Sequence, residues 1–576
     1  MPKPAQRLSS ERKFLAASSR LDDYQRIMMA IVREDIPCLQ AIIRRAFRNH
    51  VSLKEILHRL GNAMDRAYHS RLYTDDDFDI ARLCMRLGGP KLVYALHQYT
   101  NIPSLRTIQR HSIRIQIRPS LGTISSIEVG ANIRSVTQFV TARAARGHSF
   151  SLDETALEER PRYYPESHSL GGLCCEHSWR VDARITCLES ILIISEKLKE
   201  NVVHWGKEAT VGAVSPFSRD SYSPMPILVS PTCKKESPEK MVDTYKIVLQ
   251  EWDVVAPRLG SIWEFGSDGD PSRRASFHPF LMQHTLRPSD PLYGELARLP
   301  LLNLQTGPQN ITMDFDYKHL FKRIMHLLRQ EHGIMIGDCL ITPDILVRHL
   351  RRLSGMDAFK VYALMNPHDK QNVPSAVQLL CSVVAVSKLP TDGLNPSEQK
   401  ICAALTVLGS WIASIVEPFI DPSMSLTQQL ESLSTAGHVM LALFSFNRSS
   451  FIPGAQYHDI AAMVKNAFFC VAKQKILDSD GEFFLSQLGD DRLENLFGRV
   501  RTLIHNIRNV DLMQLTDHIG SASEVDAVMM RHPSWDAADR RRSISGSVSV
   551  DHISPACWTG DVHVARVSLF TSWTVG

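Results

Sequence analysis

Three acids in this chain stand where they could hold divalent metal ions: Asp153 in SFSLDETAL, Asp268 in WEFGSDGD and Glu494 in DDRLENLFGRVR. Phosphodiester chemistry with two metals needs carboxylates that converge from different elements. The ions activate the attacking oxygen and stabilise the leaving one, and Mg2+ or Mn2+ takes carboxylate oxygens. Each acid also has a plainer reading. Asp153 could simply end a strand, with Glu154 on the opposite face. Asp268 and Asp270 flank Gly269 and suit a turn before a helix. Glu494 could be a solvated charge near a helix start, or pair with Arg499.

The elements that would position these acids follow from the change of hydrophobic period. From about residue 147 the runs HSFSLDETAL, GGLCCEHSWRV and MPILVSPTC suit strands. A helix follows over SPEKMVDTYKIVLQEWDVV, with Ser237 before Pro238 as its N-cap. GSIWEFGSDGD reads as a fourth strand, PSRRASFHPFLMQHTL as a helix, and NITMDFDYKHLFKRIMHLLRQEHG as a strand passing into an amphipathic helix. Three strands followed by alternating helices and strands is the order of an RNase H-like α/β layout. More than two hundred residues separate Asp268 from Glu494, so a helical insertion must divide the site. The run Cys174-Cys175-Glu176-His177 falls in an expected core strand, where free cysteines pack well, and this reading is preferred over metal binding.

At 576 residues the length suggests roughly three or four domains. The expected division is a basic helical region over 1–75, a helical, basic DNA-binding or linker region over 76–146, the first part of an RNase H-like core over 147–335, a helical insertion over 336–482, the closing helix of the core over 483–530, and a linker with C-terminal tail over 531–576. The tail holds an expected exposed linker, DRRRSISGSVS, then a β-like run HVARVSLFTSW. Net charge is only +4, yet between residues 91 and 152 eight basic residues, among them Arg106, Arg110, Arg114 and Arg118, stand against the single acid Glu128. Such one-signed density suits a phosphate backbone, or it is a solvated basic face. Eleven cysteines without a Cys-x-x-Cys pair and a polar start, MPKPAQRLSSERKF, indicate an intracellular rather than a secreted protein. The most apolar stretch, Ile401–Val416, is shorter than the ~20 residues of a membrane span and reads as a buried helix, so no membrane contact is expected.

Five segments in order, GGPKLVYALHQYTNIPSLRTIQRH, LDETALEER, GSDGDPSRR, DFDYKHLFKRI and DDRLENLFGRVR, resemble the P-element-like transposases over roughly residues 80 to 530. Within that superfamily they are most similar to transposase-like proteins of fungal genomes. The resemblance implies an RNase H-like core interrupted by an insertion, Asp153, Asp268 and Glu494 as a metal-binding DDE triad, and Mg2+ or Mn2+ as cofactor. It also implies double-stranded DNA as partner, DNA recombination and transposition as activity, and a nuclear location. On a helix Asp316, His319 and Lys322 or Arg323 share a face and could position DNA, or Asp316 is only an N-cap. Arg273 and Arg274 could neutralise phosphate or face solvent.

The chain departs from the family in lacking an N-terminal Cys/His zinc module and a clear leucine zipper, although a homo-oligomer stays compatible with the resemblance. GTP use is known in such enzymes, but no Gly-x-x-x-x-Gly-Lys-Ser/Thr loop marks a site for it. The alternative function is a catalytically inactive, domesticated transposase that binds DNA or a partner.

Overall fold

The computed structural model describes residues 4–33, 39–48, 52–64, 73–99, 102–111, 114–138, 140, 146–220, 223–503, 510–535 and 555–576. DRRRSISGSVS lies outside these residues. Two compact units form, 1–114 and 115–576.

The first unit is helical. Helices Pro4–Val32, Leu39–Arg48 and Leu53–Met64 share a small core of Ile27, Ala30, Ile42, Leu60 and Ala63. Helix Asp75–Tyr99 kinks at Gly89, before Pro90, and Leu105–His111 packs beside it through Ile102 and Ile108.

The second unit is built on a five-stranded mixed sheet. Its strands are β1 (His148–Ala156), β2 (Glu208–Pro216), β3 (Met225–Thr232), β4 (Ile262–Ser267) and β5 (Thr312–Phe315), in spatial order β3-β2-β1-β4-β5. β1, β2 and β3 pair antiparallel, whereas β4 and β5 extend the sheet in parallel from β1. The second strand is EATVGAVSP rather than the expected GGLCCEHSWRV. That latter run forms the end of a short strand, Ser169–Gly171, and a helical turn, Cys175–Ser178, so Cys174 and Cys175 are not strand residues. Alanine and glycine gave β2 a weak strand signal. Its Gly212 is required by close approach, because a Cβ there would stand 2.8 Å from the Phe150 ring.

Helix α1 (Ser126–Thr137) lies against β3 and α2 (Pro238–Asp253), and α3 (Pro271–Leu281) packs on α2. Residues 115–124 are not helical as expected. Ile115 and Ile117 are buried in alternation with exposed Gln116 and Arg118, and α1 side chains accept the freed amides: Gln116 N–H donates to Ser135 Oγ at 2.8 Å and Arg118 N–H to Asn132 Oδ1 at 2.7 Å.

After β5, α4 (Tyr317–Leu328) leads into a helical region comprising α5 (Val373–Ser387), α6 (Pro396–Ile420), α7 (Leu426–Asn447) and α8 (Gly454–Leu477). By length and composition α6 could cross a membrane, and it extends well beyond the apolar stretch read in the sequence. It nevertheless packs between α5 and α7 with Leu408, Trp411, Ile412 and Ile415 fully buried. α8 returns to cover the edge strand, where Thr312 Oγ1 donates to Asn466 Oδ1 at 2.5 Å. Beside it the buried carboxyl of Glu264 on β4, pushed up to about 7 by burial, accepts from Asn466. α9 (Asp491–Leu503) and α10 (Leu512–Arg531) then close against β1 and β3. The C-terminal run HVARVSLFTSW forms no strand, only an isolated antiparallel bridge from His563 to Glu482. Ser568 caps a helix, Leu569–Val575, whose buried Trp573 donates its indole N–H to the Pro300 carbonyl at 2.8 Å.

Candidate active site

In the parallel β1–β4 pair Leu152 stands opposite Ser267, so Asp153 and Asp268 are the next residues along two neighbouring interior strands, toward their carboxyl ends. The turn after β4 is tightly specified. Asp268 Oδ1 accepts the Asp270 amide at 2.9 Å, Ser267 Oγ accepts the Gly269 amide at 3.3 Å, and Asp270 caps α3 by accepting from Ser272 N–H at 2.8 Å. Arg323 of α4 donates to the carbonyls of Asp268 and Gly269 at 2.7 and 2.8 Å. Arg323 and Arg274 both donate to the wholly buried Asp459 of α8.

Glu494 arrives in the first turn of α9. The preceding loop lies on the strand ends, where Ser151 Oγ donates to the Gly489 carbonyl at 3.2 Å. Gly489 has φ 84°, and a Cβ on it would meet Asp316 Oδ1 at 2.6 Å. Only glycine meets both requirements without strain. α9 is further fixed by a buried ion pair between Asp491 and Lys318 of α4. Arg492 donates to the Pro216 and Gln487 carbonyls at 2.7 and 2.9 Å.

Asp268 and Glu494 stand near enough to act on Asp153 by charge, although among the described residues the three do not bring one ligand atom each within 4.8 Å of the others. Burial pushes Asp153 up to about 7, and the charges of Glu154, Asp268 and Glu494 add to the rise. Burial also raises Glu494, with Asp316 pushing the same way and His319 and Lys318 pulling back. Asp490 lies well above the usual carboxylate range through burial and through Asp316, Asp153, Glu494 and Asp268. Both Asp490 carboxylate oxygens and Asp316 Oδ1 are buried with no hydrogen-bond partner among the described residues. Orphaned carboxylate oxygens, turned toward other carboxylates, fit a divalent cation, which would supply the missing ligand and countercharge. One ligand atom each from Asp316, His319 and Asp490 lies within 4.8 Å of the others.

Asp490 escaped the sequence reading. Its only signal was the doublet Asp490-Asp491 ahead of Glu494, which suited an acidic first turn equally well. Asp316 is both N-cap and site residue. Its Oδ2 accepts the His319 amide at 2.9 Å and lies 3.1 Å from His319 Nδ1. Burial would lower the His319 pKa, but the bond to Asp316 and its charge raise it above the ordinary value. Lys322, half-buried one turn on, has a charge that acts on His319.

Neither expectation for Arg273 describes it. Its side chain is 7% exposed and paired with Glu154 under β1, so it faces the interior rather than solvent or phosphate. Arg274 and Arg323 are tied to Asp459 as described. Arg106 and Arg110 are exposed on helix Leu105–His111, and Arg114 is exposed at the end of the first unit. In the second unit Arg118 lies 3.8 Å from Glu166.

No protein-family model matches the sequence, and no curated protein is found similar to it. A solved structure, the Drosophila P element transposase strand transfer complex, matches with a TM-score of 0.52 and 14% identity, covering 85% of this chain and 98% of that one. The likeness is one of fold.

Proposed function

We propose that this protein is a transposase-like, metal-dependent DNA-processing protein whose sheet is an RNase H-like core. In this reading Asp153, Asp268 and Glu494 are its DDE triad, and Asp490, Asp316 and His319 complete the acidic pocket. The observation that carries the reading is that Asp153 on β1 and Asp490 before α9 are each raised by burial and by the charges of Asp268 and Glu494, around Asp490 oxygens that have no hydrogen-bond partner among the described residues. A protein using the fold only as a DNA-binding scaffold would gain nothing from burying these acids together, since like charges in one pocket oppose folding.

The acids would hold Mg2+ or Mn2+, which when bound activates the attacking oxygen and stabilises the leaving one. Asp153 and Asp268 are held by the sheet, and Glu494 by the anchored start of α9, so the ligands are set before substrate arrives. His319, held through Nδ1 by Asp316, would be fixed in place beside the ions, and Lys322 would put positive charge beside the phosphate. Water attacks phosphorus of the phosphodiester to be cut and the displaced 3′-oxygen leaves as a hydroxyl; that hydroxyl then attacks a target phosphodiester, joining to its phosphorus and displacing the target's own 3′-oxygen as a new hydroxyl. The basic helix bearing Arg106 and Arg110, together with Arg114 in the same unit, would hold double-stranded DNA through its backbone.

Nicking of supercoiled plasmid by the full-length protein tests the reading. Cleavage should require Mg2+ or Mn2+ and disappear in Asp268→Ala. Cleavage that survives this substitution overturns the triad.

A further inference from the structure

Between β1 and β2 the chain makes an excursion, residues 157–207, with little to hold it together. It contains one two-stranded pair, Arg162–Tyr164 with Ser169–Gly171, two helices, and a core of only three buried apolar side chains, Leu173, Ile194 and Val203. Small cores of this kind usually need a disulfide or a metal. At its junction with the sheet, three potential metal ligands meet from separate segments. Cys174 precedes the turn Cys175–Ser178, His177 lies within it, and Cys233 directly follows β3.

We propose that Cys174, His177 and Cys233 hold a structural zinc ion that staples this excursion to the end of β3, with His204, which stands beside them outside their 4.8 Å group, turning in as the fourth ligand. His177 Nδ1 lies 3.4 Å from Cys174 Sγ and 3.6 Å from Cys233 Sγ, and the three ligand atoms fall within 4.8 Å of one another. Zn–S bonds of about 2.3 Å and Zn–N bonds of about 2.0–2.1 Å at a tetrahedral angle put nitrogen and sulfur about 3.5 Å apart, so the observed spacings match a shared ion.

His204 supplies an independent observation. Its Nδ1 is buried with no hydrogen-bond partner among the described residues, and its ring centroid is 4.3 Å from that of His177. Its Nε2 lies 3.2 Å from the Asn201 carbonyl, so Nε2–H donates there and Nδ1 keeps its lone pair, which is how metal-bound imidazoles are oriented. The two loops are already registered, since Cys174 N–H donates to the His204 carbonyl and Gly206 N–H to the Gly172 carbonyl, both at 2.8 Å. Two thiolates neutralise a divalent ion, and sulfur with imidazole selects zinc over the hard cations that the carboxylate pocket suits. Binding displaces two thiol protons to solvent, with no redox change.

Full-length protein purified without added metal should carry one zinc per chain, measured by mass spectrometry, and a thiol-specific mercurial should release it. Exchange into Co2+ should give thiolate-to-metal charge transfer and the intense visible bands of tetrahedral cobalt. Cys174→Ser with Cys233→Ser should abolish both zinc and spectrum, and His204→Ala should let a chelator strip zinc that the parent retains. Asp268→Ala should keep its zinc. Zinc-free protein with Cys174 and Cys233 open to alkylation, a Cys174–Cys233 disulfide, zinc retained in the double serine variant, or chelator resistance unchanged in His204→Ala would each overturn the assignment. The cobalt spectrum of the parent decides the matter even if the serine variants fail to fold.

Discussion

Arg323 on α4 donates to the carboxylate of Asp459 on α8 at 2.6 Å. Its other terminal nitrogen donates to the Asp268 and Gly269 carbonyls. The helical region therefore braces the turn that presents Asp268, although α8 supplies no member of the triad. Asp459→Asn removes the charge from a wholly buried group and leaves Arg274 and Arg323 competing for a neutral amide. Those arginines keep 21% and 33% of their side chains exposed, so the cost should be about 1–3 kcal/mol, below the roughly 3–5 of a fully buried pair. Urea unfolding measures the loss, and plasmid nicking should fall by more than stability explains. Unchanged nicking would mean that the turn holds Asp268 without the brace.

Gly489 lies hard against Asp316. Gly489→Ala forces a side chain onto φ 84° and a Cβ toward Asp316 Oδ1. Strain of about 1–3 kcal/mol should result, with the loop lifted from the strand ends and metal binding weakened. Gly498, on α9 itself, has open space around its Cβ position, and Gly498→Ala should be neutral or stabilising by up to about 1 kcal/mol. Mg2+ titration calorimetry on the two variants checks the contrast. Equal affinities would remove Gly489 from the pocket's construction.

These features differ in how far local sequence reveals them. β1 and β4 could be read because buried Phe150 and Leu152, and the apolar run ending at Ser267, follow the strand period up to the acids. β2 could not, because EATVGAVSP takes its strand character from Phe150 packing on Gly212, a contact made only after folding. The same holds for Arg273, whose partners Glu154 and Tyr245 come from other elements, and for Asp490, whose significance depends on Asp316 and Asp153 lying beside it. Cys174 and His177 read as core residues because Cys233 and His204, the neighbours that change their chemistry, are distant in the chain.

The basic helix Leu105–His111 gives a salt-dependent prediction. Arg106 and Arg110 are one turn apart and both exposed. Arg106→Ala with Arg110→Ala should weaken binding to duplexes of any sequence, and the slope of log affinity against log salt should shrink by roughly 2, about one per lost phosphate contact. Fluorescence anisotropy over a salt series measures this. A slope identical to the parent's would place DNA elsewhere on the chain.

The acidic pocket predicts a pH-dependent gain in stability when one acid is removed. Asp153 sits near 7 in the folded chain, against about 3.9 for an unfolded aspartate. Between those values the folded state binds more protons than the unfolded one, so this group's contribution to stability falls as pH rises and levels off above 7. His148, lowered to about 3 by burial, has the opposite slope below its usual pKa, so total stability is not the quantity to follow. The difference between Asp153→Asn and the parent cancels His148 and every other shared group. In EDTA the variant should melt higher than the parent at pH 8, and its advantage should shrink steadily toward pH 5. In saturating Mg2+ the sign should reverse at pH 8, because the parent gains binding free energy that the variant largely loses. An EDTA difference that is flat with pH, or negative at pH 8, would mean that Asp153 does not share a repulsive pocket with Asp268 and Glu494.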